Sequence, residues 1–96
     1  MKKILLALLL SACVISDAHS VSCIEVSELA ETVMSARQRN VDITKFMANF
    51  DSDSTLDEMI RTLAKKAYAL PLYSTDEYRI NTIRTFKNDV YLSCAE

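Results

Sequence analysis

After an apolar run near its start, this chain places apolar residues at helical spacing almost to its end. Val26, Leu29, Ala30 and Val33 fall at i, i+3, i+4 and i+7, the pattern of one buried helical face. Ser22 and Glu25 stand ahead of that face in the S-x-x-E form of a capping box, and Asn40 suits the left-handed turn that ends a helix. A short second helix is expected over residues 44–50, capped by Asp42 or Thr44 and burying Ile43, Phe46, Met47 and Phe50. Residues 51–54 form a polar break. Thr55-Leu56-Asp57-Glu58 repeats the capping signature, and Leu56, Met59, Ile60, Leu63, Ala64 and Ala67 share one face until Pro71 stops the helix. Ser74-Thr75-Asp76-Glu77 is a third capping box. It opens the longest helix, over residues 75–94, with Ile80, Ile83, Phe86, Val90 and Cys94 toward the core.

Short connections between such helices favour antiparallel neighbours. The expected fold is therefore all-α: a small bundle of three long helices plus one short helix, closed by a terminal disulfide. The absence of glycine agrees with this, because hairpins and phosphate-cradling loops depend on positive backbone φ.

The opening run reads as an export signal, not as part of the fold. Lys2 and Lys3 supply the positive start, residues 4–15 the apolar stretch, and Ala18-His19-Ser20 a small-residue cleavage site. On this reading residues 1–20 are a signal peptide and residues 21–96 a single helical domain that is exported and periplasmic. Leu10-Ser11-Ala12-Cys13 resembles the lipobox of bacterial lipoproteins, which would place an acyl group on Cys13 and anchor the protein in the envelope. An uncleaved anchor is a third reading. The twelve residues ahead of Cys13 are few, and the apolar run continues through Val14 and Ile15, so ordinary cleavage is favoured. No later apolar run approaches the roughly 18 residues needed to span a bilayer.

Removal of the signal leaves Cys23 and Cys94, one at each end of the domain. Exported chains meet an oxidising compartment, so these two thiols are expected to pair. The pairing closes a loop of about 72 residues, which the chain-entropy model values at roughly 4 kcal/mol. That is a large share of a typical stability of about 5–15 kcal/mol.

Composition narrows the chemistry. Loss of Lys2, Lys3 and Asp17 from the eleven basic and thirteen acidic residues leaves nine against twelve, with no basic run, so nucleic acid is not an expected partner. A membrane becomes a partner only through lipidation at Cys13. His19, the sole histidine, falls inside the signal, which leaves the domain without a histidine for a metal site, a Cys–His nucleophile or a haem attachment motif. Asp51-Ser52-Asp53-Ser54-Thr55 looks like the D-x-D-x-T motif of haloacid-dehalogenase-type phosphatases, but it follows a helical stretch in a domain too small for that fold. Read as a calcium loop, it has Leu56 and Thr62 where an EF-hand needs glycine and a bidentate glutamate. The acidic pairs Asp57-Glu58 and Asp76-Glu77 sit in first helical turns, where the helix dipole favours them. No catalytic, metal or cofactor residue is assigned, and the expectation is a protein that is not an enzyme. Tyr68, Tyr73, Tyr78 and Tyr91 admit two readings: rings packed inward with wet hydroxyls, or part of a partner-facing patch with Leu70, Leu72 and Tyr73 at its centre.

Leu29-Ala30-Glu31-Thr32-Val33-Met34 with Ala36-Arg37-Gln38, then Ala67-Tyr68, Pro71, residues 73–78, and Phe86-Lys87-Asn88 through Tyr91 to Cys94, resemble a loose group of small exported proteins of bacteriophages and prophages of Gram-negative bacteria. The resemblance implies a phage-associated periplasmic role and transfers no functional residue. The expected function is binding of an unknown protein partner in the cell envelope. Two alternatives are an acid-stress chaperone resembling the HdeA type, whose carboxylates would protonate at low pH, and a small outer-membrane lipoprotein. Intact-mass measurement of the protein recovered from the envelope tests the reading. A chain starting at Val21, lighter by two hydrogens than its reduced form, is expected; an acylated chain starting at Cys13 would contradict it.

Overall fold

The computed structural model describes residues 21–96; residues 1–20, read above as a signal peptide, with His19 and the candidate lipidation site Cys13, lie outside the described residues. Four helices follow in chain order: α1 (Cys23–Gln38), α2 (Ile43–Met47), α3 (Thr55–Tyr68) and α4 (Asp76–Ala95). The described residues are all-helical and contain no strand. None of these helices is long and apolar enough to cross a membrane.

The start of α1 forms as its sequence dictates. The Ser22 hydroxyl accepts from the Glu25 amide at 3.1 Å while the Glu25 carboxylate accepts from the Ser22 amide at 2.9 Å, so two orphan donors are satisfied reciprocally. Its end is a Schellman turn: Asn40 takes φ 61°, and the Val41 and Asn40 amides donate to the Ala36 and Arg37 carbonyls. The other two boxes are not formed as read. Ser54, not Thr55, caps α3 by accepting from the Asp57 amide, and Thr75, not Ser74, caps α4 by accepting from the Tyr78 amide. Asp57 is drawn backward instead, taking the Ser52 hydroxyl at 2.6 Å and the Ser52 amide at 3.1 Å. Arg61 closes the same loop by donating to the Phe50 and Ser52 carbonyls. Asp42 precedes α2 but makes no side-chain cap, and α2 buries no residue fully.

The core lies along α1. Ala30, Val33 and Met34 meet Ile60, Leu63, Ala64 and Ala67 of α3, and Phe86 of α4 completes the cluster. Ala30, Ala64 and Ala67 are wholly buried; their small side chains let α1 and α3 approach closely. Val26 and Leu29 are only half-buried, and Leu56, expected on the core face of α3, is exposed before that helix reaches α1.

Helix α4 differs more from expectation. Phe86 is its single buried residue, Ile83 and Val90 are half-buried, Cys94 is exposed, and Ile80 is 55% exposed. At about 100° per residue Ile80 lies roughly 120° around the helix from Phe86, too far to share one contact stripe. A helix packed broadly on two neighbours could bury both positions, but α4 packs chiefly on α1. The Cys23–Cys94 bond joins the ends of α1 and α4, with Cα atoms 5.6 Å apart, and sets the two helices antiparallel. Midway, Lys87 pairs with Glu31 at 3.1 Å, an exposed contact worth little by itself.

Hydrogen bonding by the Ser52 side chain, aided by the Ser52 amide and Ser54, holds the Asp57 carboxyl below its ordinary 3.8. A depressed carboxylate stabilises the fold above its unfolded value and loses that contribution as pH falls through the folded value. Lowering pH below about 3.8 is therefore expected to release the 51–57 loop, seen as faster exchange of the Ser52 amide. In Asp57→Asn this pH step should be absent; an unchanged step would contradict the assignment.

Candidate functional site

Because α3 and α4 each pack chiefly on α1, a groove of about 530 Å³ runs between them, open to solvent. Val26 of α1 forms its floor. Leu63, Lys66 and Leu70 form one wall, and Phe86, Asp89 and Val90 the other, with Ser93 and the Cys94 half of the disulfide at one end. The groove exists because the helices that should cover these apolar positions are held apart.

The structure divides the candidate partner patch. Leu70, 39% exposed, belongs to the groove. Leu72, 38% exposed, lines a separate depression of about 630 Å³ between the end of α1 and the start of α4, beside Gln38, Arg39, Asp76 and Arg79. Tyr73 is half-buried, its ring 5.9 Å from that of Tyr78. These three positions thus serve different surroundings.

What orients them is a polar staple on the 69–75 connection. Gln38, only 3% exposed, donates from Nε2 to the Pro71 carbonyl at 2.9 Å and accepts the Tyr73 amide on Oε1 at 3.0 Å. Arg37 donates to the Leu70 carbonyl at 3.0 Å and Arg79 to the Tyr73 carbonyl at 2.8 Å. Only Pro71 lacks an amide here, but the connection forms no ladder of its own, and side chains from α1 and α4 bond the Leu70, Pro71 and Tyr73 carbonyls. Tyr68 closes this end: its hydroxyl donates to the Val41 carbonyl at 2.7 Å, its ring lies 5.4 Å under the Arg37 guanidinium, and burial pushes its phenol above the ordinary value. Of the two readings of the tyrosines, Tyr68 and Tyr73 follow the inward one, while Tyr78 and Tyr91 are exposed.

Around the Leu72 depression, Gln38 and Arg79 are thus occupied in holding the connection, and Asp76 pairs with Arg79. Among the described residues no three His, Cys, Asp or Glu side chains gather as they would around a metal ion, and both described cysteines are joined in the disulfide. The groove has the opposite character, apolar along its length with one charge on each wall. Val26, Leu63, Phe86 and Val90 are legible in the sequence as apolar faces, but not as the lining of an open trench. Lys66 and Asp89 were not singled out; the signal available was a charge lodged between apolar positions, Leu63 and Leu70 for Lys66, Phe86 and Val90 for Asp89.

Compared with known proteins, the chain matches no protein-family model, no curated protein and no solved structure. Function must therefore be argued from the surface itself.

Gln38→Ala would leave the part-buried Tyr73 amide and Pro71 carbonyl without their partner. Urea unfolding is expected to show a loss of about 2–3 kcal/mol with little change in slope, and the Tyr73 amide should exchange faster. A loss under about 0.5 kcal/mol would mean that the staple does not hold the connection.

Proposed function

We propose that this chain is an exported, non-enzymatic helical protein that acts by binding another polypeptide of the cell envelope. The single observation that carries the reading is the open apolar groove, with Leu63 and Phe86 deep in it and Leu70 exposed on its rim. Apolar surface left in water is unfavourable unless it is covered in use, and grooves between helices are recurrent places for such covering. The signal-like start supports action outside the cytosol, and the resemblance to small exported phage and prophage proteins supports a role in the envelope during infection or lysogeny.

The reading separates the two apolar positions flanking Pro71. With oxidised protein on a matrix and periplasmic extract as the source, Leu70→Ser combined with Val90→Ser should reduce recovery of the specific partner at least tenfold. Leu72→Ser should leave it near the original level, and helical circular dichroism should be unchanged in both. Recovery of nothing beyond a blank matrix by the unaltered protein would overturn the reading.

A further inference from the structure

The groove has the form left when one helix is taken out of a four-helix bundle. Leu63 and Lys66 on α3 are spaced i, i+3, with Leu70 just past the end of that helix, and on α4 Phe86, Asp89, Val90 and Ser93 follow at i, i+3, i+4, i+7. The α4 wall is a straight ridge of two helical turns, about 10 Å long, and on the other side Leu70 carries the wall past the last turn of α3. The Leu70 carbonyl is held by Arg37 in the last turn of α1, while Cys94 is bonded to Cys23 in its first. Leu70 and Cys94 therefore mark opposite ends of the trench.

Three features restrict what can lie there. First, the walls are side chains whose backbone groups are already bonded, within α3 and α4 or, at Leu70, to Ala67 and Arg37, so an extended peptide would bring in N–H and C=O groups with nothing to pair them. A helical occupant carries its own hydrogen bonds. Second, the trench is open along its length, so the occupant keeps one side in water and must be apolar on one face only. Third, the walls carry opposite charges: Lys66 on α3 and Asp89 on α4, both exposed and neither part of an ion pair among the described residues. A helix with an acidic and a basic flank matches these walls in one direction. Turned end for end, the same helix sets acid against Asp89 and base against Lys66.

We propose that the groove receives an amphipathic helix of two to three turns from another polypeptide, seated in one direction chosen by Lys66 and Asp89. The inference rests on the binding role proposed above and specifies what is bound and how.

The test uses the oxidised, isotope-labelled protein and a synthetic helical peptide of about 15 residues. The peptide has a leucine stripe, glutamates on one flank and lysines on the other, and a nitroxide at its amino end. Titration is expected to shift the resonances of Leu63, Leu70, Phe86 and Val90, with nitroxide broadening confined to one end of the trench, either Leu70 or Ser93. In the double variant Lys66→Glu, Asp89→Lys, whose positions are exposed and carry no core contact, the broadening should move to the opposite end. Absence of shifts in the groove, equal broadening at both ends, or broadening that stays in place in the variant would overturn the proposal. So would a self-associated dimer, seen by sedimentation, that the peptide dissolves, since the trench would then belong to a second copy. If envelope-partner capture persists while the peptide titration fails, the binding role stands and this groove inference alone falls.

Discussion

A covalent bond between Cys23 and Cys94 decides where α4 lies, and α4 needs that decision made for it. Of its twenty residues only Phe86 is buried, flanked by half-buried Ile83 and Val90. One narrow stripe and an exposed ion pair are a weak hold for a helix about 30 Å long. Tying its end to the start of α1 aligns the two helices antiparallel over their full length. The middle of α4 then comes into register with α1, and Lys87 meets Glu31. Helix α3 is held differently, by close approach through Ala30, Ala64 and Ala67. With α1 as the shared partner of both, the space between α3 and α4 is left as a trench.

The polar residues of the domain serve mainly to hold its connections. Gln38, Arg37 and Arg79 fasten the 69–75 segment, Tyr68 fastens the turn after α1, and Asp57 with Arg61 fastens the loop before α3. Without glycine, the chain has one residue with positive φ among the described residues, Asn40, and the other turns depend on these side-chain bonds. The resulting surface has an apolar trench on one side and internally satisfied polar groups on another. That distribution suits recognition of a helix better than chemistry on a small molecule.

Local features were legible in the sequence and pairwise ones were not. The cap at Ser22 with Glu25, the left-handed Asn40 and the stop at Pro71 each depend on residues within a few positions, and each appears where the pattern places it. The Cys23–Cys94 bond was legible by count once residues 1–20, with Cys13, are read as a signal, since no other pair then remains. The caps of α3 and α4 fell one residue from their reading because Ser54 and Thr55, like Ser74 and Thr75, are adjacent candidates that sequence spacing does not rank. Ile80 was misplaced because an apolar period shows that a face exists, not how wide the neighbour covering it is. Gln38 gave no signal, since a buried glutamine is defined by the backbone groups it meets thirty-odd residues later. The trench was invisible for the same reason: it is a property of three helices together.

The most direct measurement is amide hydrogen exchange on the oxidised and the reduced protein at neutral pH, followed residue by residue. If the bond holds the α4 wall, reduction should remove protection most strongly from the last turns of α4 and the first turn of α1. The amides around the Ala30, Ala64 and Ala67 crossing should remain the slowest to exchange. Equal protection of the end of α4 in both forms would show that packing alone holds the helix, and would contradict the account.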